Sequence, residues 1–200
     1  KMWPWFAALA ALLMVVGVWS SFFVAPVDAQ QGQGYRIIFV HVPSSQMSMF
    51  IYIVMAAWAG VGLAFNTRLS GMMAAALAPT GALFAFLSLL TGSLWGKPMW
   101  GTWWVWDARL TSTLILLFFY LGFLALQSSI DDPRRADKAC AVLALVGVVN
   151  VPIIYFSVNW WNTFPPGASV SLTRAPSMAT PMLWGMLRLV PAFWMYALAA

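Results

Sequence analysis

Charge is the scarcest property of this sequence. Only 8% of its 200 residues are charged and five are acidic, against 62% hydrophobic, whereas a soluble domain carries roughly a quarter charged residues. Apolar stretches fill nearly the whole length, which leaves no room for a separate soluble catalytic domain. No acidic residue falls inside those stretches, which argues against a pump or an ion-coupled transporter. Cysteine occurs once, as Cys140, so neither an intramolecular disulfide nor a Cys-pair metal site can form. The net charge of +5 is dispersed among loops apart from one short cluster. No basic face able to track a phosphate backbone can be built from it, and nucleic-acid binding is excluded.

What is present is an all-α pattern. Six apolar stretches, at 4–25, 45–65, 72–92, 109–127, 139–158 and 182–200, are each long enough to cross a bilayer core as a helix. They predict a polytopic transmembrane helical bundle, a single membrane domain over 1–200, with a Trp-rich outer loop at 93–108 between the third and fourth spans. The first stretch is longer than a signal-peptide core and five more follow, so a retained helix is expected. The chain starts without Met and stops inside its last apolar stretch, so a piece of a longer protein is expected.

The cluster Asp131-Asp132-Pro133-Arg134-Arg135-Ala136-Asp137-Lys138 predicts which side stays in the cytoplasm. Both termini then lie inside, and the loops after the first, third and fifth spans lie outside. Within the spans, Asn150 two residues before Pro152 predicts an interhelical hydrogen bond across a kink. The small-residue run Ala74 to Ala78 suits close helix packing.

Of the thirteen tryptophans, five crowd one loop: Trp95, Trp100, Trp103, Trp104 and Trp106. An interfacial aromatic belt accounts for one or two per helix end. Five in one loop favour a ligand surface, a broad apolar platform for a planar aromatic molecule at headgroup level. If residues 100–107 form a helical turn, Trp100, Trp103 and Trp104 share a face. Lys97 and Arg109 flank them, positioned to pair with carboxylates on a ligand's edge. Asp107 reads best as the N-cap of the fourth helix.

His41, the only histidine, sits just ahead of the second span on the same expected face. Imidazole is a good iron ligand and equally a good interfacial hydrogen-bonding group, and the residues alone leave both readings open. A third outer segment, Asn159-Trp160-Trp161-Asn162-Thr163, adds two more indoles.

These segments resemble the WWD family of haem-handling membrane proteins, most closely its haem exporter protein C (cytochrome c maturation protein C) branch. The run from Trp95 to Ser112 is similar to that branch's signature nearly throughout. Arg36-Ile37-Ile38-Phe39-Val40-His41-Val42-Pro43 resembles its first histidine segment, and Trp160-Trp161-Asn162-Thr163 its second. The likeness runs over most of the chain.

The resemblance implies a protein of the bacterial, or mitochondrial, inner membrane that binds haem b as cargo at the outer face. Trp95, Trp100, Trp103, Trp104, Trp106, Asp107, Trp160 and Trp161 would then belong to the haem site, and His41 would be an iron ligand. The implied partners are a periplasmic haem chaperone, ATP-binding-cassette subunits and a small membrane subunit of the cytochrome c maturation complex, besides membrane lipid. The chain itself would catalyse no reaction.

One position departs from the pattern. Where the family reads Trp-Trp-Asn-Thr-Leu-His, this chain reads Trp160-Trp161-Asn162-Thr163-Phe164-Pro165. Proline has no donor atom for iron, so the bis-histidine coordination of the family cannot be completed there. Two other readings compete. The first is a WWD subunit of the haem-ligation machinery, whose loop generally continues as Trp-Asp-Pro where this chain has Asp107-Ala108-Arg109. The second is a membrane anchor or quinone-binding subunit of a respiratory complex, with the indoles as belt and quinone wall.

Overall fold

The computed structural model describes residues 2–160 and 178–200. Among these the chain is helical and has no β-strand: α1 Trp3–Trp19, a π-helical turn Ser20–Val24, a 3-10 turn Gln33–Ile37, α2 Ile38–Phe65, α3 Arg68–Trp100, α4 Ala108–Ser129, α5 Pro133–Gly147, α6 Asn150–Trp160 and α7 Thr180–Ala199. They make six segments long and apolar enough to cross a membrane, α5 and α6 forming one of them. Each coincides with one of the six stretches expected from hydropathy.

Local chemistry sets the helix starts. Proline stands in the first turn of α1, α5 and α7, where its missing N–H would have had no partner. Asp107 caps α4 by accepting from the Leu110 N–H at 2.7 Å, the role expected of it. Asp132 caps α5 by accepting from the N–H groups of Arg134 and Arg135. Those two bonds, Arg135's first, hold its carboxyl below the usual carboxylate range.

Two helices run further than hydropathy predicts. α2 begins at Ile38 and so includes His41 and Pro43, and α3 continues to Trp100 through Gly96 and Pro98. The first half of the predicted Trp-rich loop is therefore helical. At 33 residues, α3 is about 50 Å long at 1.5 Å per residue, against a hydrocarbon core of about 30 Å. α3 is therefore longer than the apolar layer is thick.

The packing divides into two compact units. In the first, α1 lies along α7, and a core of Tyr35, Ile38, Phe39, Met182, Met186 and Leu189 is flanked by Val42 and Trp95. Arg36 closes the end of the α1 segment. Its guanidinium donates to the carbonyls of Ser21 at 3.2 Å, Ala25 at 2.8 Å and Phe22, satisfying groups that a helix end leaves without intrahelical partners.

In the second unit, Tyr52 and Tyr120 meet edge to face at 4.9 Å, and the Tyr120 hydroxyl donates to the Ser48 carbonyl at 2.8 Å. Tyr120 lies against Gly81, in space that any side chain there would fill. Ala74 and Ala78 are buried as the small-residue run predicts. Asn150 opens α6 where the chain bends after α5, and its amide donates to the Ser112 carbonyl on α4 at 2.7 Å. This is the interhelical bond expected across the kink.

Candidate functional site

The first unit gathers the end of α3, the start of α2 and the turn before it. α3 stops because Gly101 takes a left-handed conformation, φ 79°, and its N–H bonds back to the Lys97 carbonyl at 3.0 Å, a glycine C-cap. From there to Asp107 the backbone is irregular. Trp100 is thus the last helical residue, and Trp103 and Trp104 lie beyond it. The shared helical face expected for these three does not form, because Gly101 interrupts the turn that would align them.

A different aromatic cluster forms instead, centred on Trp95. Its ring stands 5.8 Å from the His41 ring at 70° and 5.8 Å from Tyr35 at 75°. Trp100 packs on it at 6.0 Å. Edge-on contacts of this kind match the positive rim of one ring to the negative face of the next. The Trp95 indole N–H donates to Gln31 Oε1 at 2.9 Å, which fixes the ring's rotation. His41 Nδ1 is hydrogen-bonded to Thr91 Oγ1 at 3.0 Å. Thr91 lies four residues before Trp95, so both project from one side of α3.

The outer part of the loop is more open. Trp103 is 54% exposed, with Lys97 Nζ 6.0 Å from its ring centre, within cation–π range. Lys97 also donates to the Gly101 carbonyl at 3.1 Å. Thr102 Oγ1 donates to the Trp104 carbonyl at 2.9 Å and so braces the turn that carries Trp104. A shallow cavity of about 510 Å³, bordered by Trp95, Leu94, Pro98, Phe22, Phe23 and Arg36 among others, opens beside this cluster. Its size falls within the range of small-molecule sites.

Of the remaining candidates, Trp106, Asp107, Arg109 and Trp160 belong to the second unit. Trp106 is 76% exposed, and the Asp107 carboxylate next to it is engaged as the α4 cap. Arg109 is exposed on the first turn of α4. Trp160 ends α6, whereas Trp161 and Pro165 lie outside the described residues. Among the described residues no group of three or more His, Cys, Asp or Glu forms a metal site, so His41 is the imidazole on which iron ligation would rest.

Thr91, Tyr35 and Gln31 escape a reading of the sequence by motif. Thr91 alone leaves a trace there, its four-residue spacing from Trp95, and only if α3 is known to continue past Gly92. Nothing local marks Gln31, sixty-four positions from the indole it binds.

The family model CcmC, Heme exporter protein C, matches residues 1–200. Heme exporter protein C of Escherichia coli K12 is 50% identical over 184 residues, 92% of this chain and 75% of that protein. The protein of that name from Bradyrhizobium diazoefficiens is 50% identical over 190 residues, 95% of this chain and 72% of that protein. The Paracoccus denitrificans one is 40% identical over 198 residues, 98% of this chain and 81% of that protein. With the family matched along the full chain and half the residues identical in proteins it largely covers, this multi-pass membrane chain belongs to the Heme exporter protein C family.

Proposed function

We propose that this chain takes up haem b at the outer face of the bacterial inner membrane and passes it to a periplasmic haem chaperone for cytochrome c assembly. The observation that carries the proposal is the cluster of His41, Trp95 and Trp100, in which an imidazole stands edge-on to the indole of Trp95 and Trp100 packs on that indole. A planar apolar macrocycle with a metal centre needs these two things: aromatic area for its faces and a nitrogen donor for its iron. If His41 ligates iron, the Thr91 bond to Nδ1 would make Nε2 the donor and would orient the ring, as hydrogen-bonded partners of ligating histidines do. Lys97, at the rim of the loop, offers a cation to a propionate.

On this reading the chain is a carrier and not an enzyme. Haem is its cargo, and movement onward is driven by ATP-binding-cassette subunits acting with a small membrane subunit of the maturation complex. The name of the family, Heme exporter protein C, supports haem as the ligand. Absorption spectra of the detergent-purified protein, oxidised and reduced, test the proposal. A Soret band that weakens in His41→Ala is expected. A preparation that takes up a quinone and has no Soret band after incubation with haem would overturn it.

A further inference from the structure

His41 lies near the first residue of α2, and the last turns of that helix border a second, unrelated cleft within the second unit. Gly62, Leu63 and Asn66 line it from the α2 end, Arg68 and Gly71 from the start of α3, Phe123 from α4, and Arg134, Asp137 and Lys138 from the start of α5. Its volume of about 60 Å³ is too small for a porphyrin, so it does not duplicate the aromatic site.

Three of its lining side chains are cationic and one is acidic. Asp137 is committed to Arg68, Oδ2 to guanidinium nitrogen at 2.6 Å. That pair is neutral as a whole, and Arg134 and Lys138 add two further cations to the lining, Arg134 within reach of the Asp132 carboxylate that caps α5. Ala59, Leu63, Phe123 and Ala141 make its apolar lining, of which Leu63 is the exposed part. Thr67 belongs to the lining as well.

We propose that this cleft binds the phosphate of an anionic phospholipid, with Arg134 and Lys138 on the headgroup and an acyl chain against Leu63. A free phosphate would need the cations but would gain nothing from the apolar lining. A lipid uses both, and α3 and α5 are membrane-crossing segments that begin at this cleft, at the depth where headgroups lie.

Arg135 provides the control. It is adjacent to Arg134 in sequence and of equal charge, yet it does not line the cleft, and its side chain is 84% exposed. The full chain, delipidated in detergent, would be titrated with phosphatidylglycerol, phosphatidylcholine of matched chains, or inorganic phosphate, and retention read by native mass spectrometry and thermal shift. Phosphatidylglycerol should bind in preference to phosphatidylcholine. Arg134→Gln should weaken that binding about fivefold, with Lys138→Gln as the second test if the first variant folds poorly, while Arg135→Gln leaves it unchanged. Equal binding of the two lipids, an equal loss in Arg135→Gln, or a thermal shift from inorganic phosphate matching that from phosphatidylglycerol would each overturn the proposal.

Discussion

Thr91 Oγ1 and His41 Nδ1 lie 3.0 Å apart, tying α3 to the first turn and a half of α2 across fifty positions of sequence. If His41 ligates iron, this bond sets the tautomer and the ring plane, and outer partners of this kind typically change affinity about 10- to 100-fold. Thr91→Val, which keeps shape and loses the hydroxyl, should therefore weaken haem binding by at least about tenfold. Thr91→Ser should restore most of it. Haem titration followed at the Soret band checks both, and equal affinity in the valine variant would show the bond to be structural only.

The aromatic part of the site makes a graded prediction. Trp95 touches His41, Tyr35 and Trp100, so Trp95→Ala removes the centre of the cluster. A buried aromatic side chain removes roughly 150–250 Å² from water, about 4–6 kcal/mol at 25 cal/mol per Å², and partial exposure lowers that figure. Haem retention should fall sharply in Trp95→Ala and in the double variant Trp103→Ala/Trp104→Ala. The outermost Trp106→Ala should have the smallest effect. Haem per protein after purification measures the order. An unchanged double variant would reduce the outer loop to an interfacial belt.

Much of this fold is legible in the sequence because bilayer thickness dictates it. Any apolar run of sufficient length must become a helix when no water is available to its backbone, and all six spans are found on that ground alone. Asp107 and Asn150 are equally legible, since a helix start needs a cap and a buried amide needs a partner. The helix ends are less so. His41, Pro43, Ser44 and Ser45 at one end, and Gly92, Gly96 and Pro98 at the other, have the composition of turns. A helix already built through the bilayer nevertheless continues through them, since extension costs far less than nucleation. The site inherits that gap. His41 and the tryptophans are visible as residue types, but their geometry depends on those two extensions and on distant partners, Thr91 and Gln31, that no motif contains.

The kink between α5 and α6 should be held by the side-chain bond from Asn150 to α4. Asn150→Leu keeps the branched shape and removes the donation to the Ser112 carbonyl. Interhelical bonds in membranes average about 0.6 kcal/mol and reach about 1.7, so a loss in that range is expected in detergent unfolding. Gly81→Leu should cost more, because Tyr120 occupies the space its side chain requires and must give up its bond to Ser48.

Topology can be read with reporter fusions. The Arg134-Arg135-Lys138 cluster should stay in the cytoplasm, so an alkaline phosphatase fusion near residue 135 should be inactive and one near residue 100 active. The reverse pattern would place the aromatic cluster on the cytoplasmic side and end the proposal of outer-face haem binding.

The most discriminating variant concerns Pro165, which stands where the resemblance to the family calls for a second histidine. If His41, the only histidine of the sequence, ligates the iron, the chain has no second imidazole to offer, and the other axial position would be open to water, to methionine or to a residue of a partner. Haem bound to the parent chain should then be high-spin or mixed-spin and should take up added imidazole readily, because no endogenous ligand has to be displaced. Pro165→His should move the spectrum toward six-coordinate low-spin and lower the response to added imidazole. Pro166 follows directly and restricts the backbone before it to extended conformations, so Pro165→His combined with Pro166→Gln separates a missing donor from a misdirected one. If the parent is already low-spin and His41→Ala leaves that spectrum unchanged, the iron is held elsewhere and His41 is an interfacial hydrogen-bonding residue.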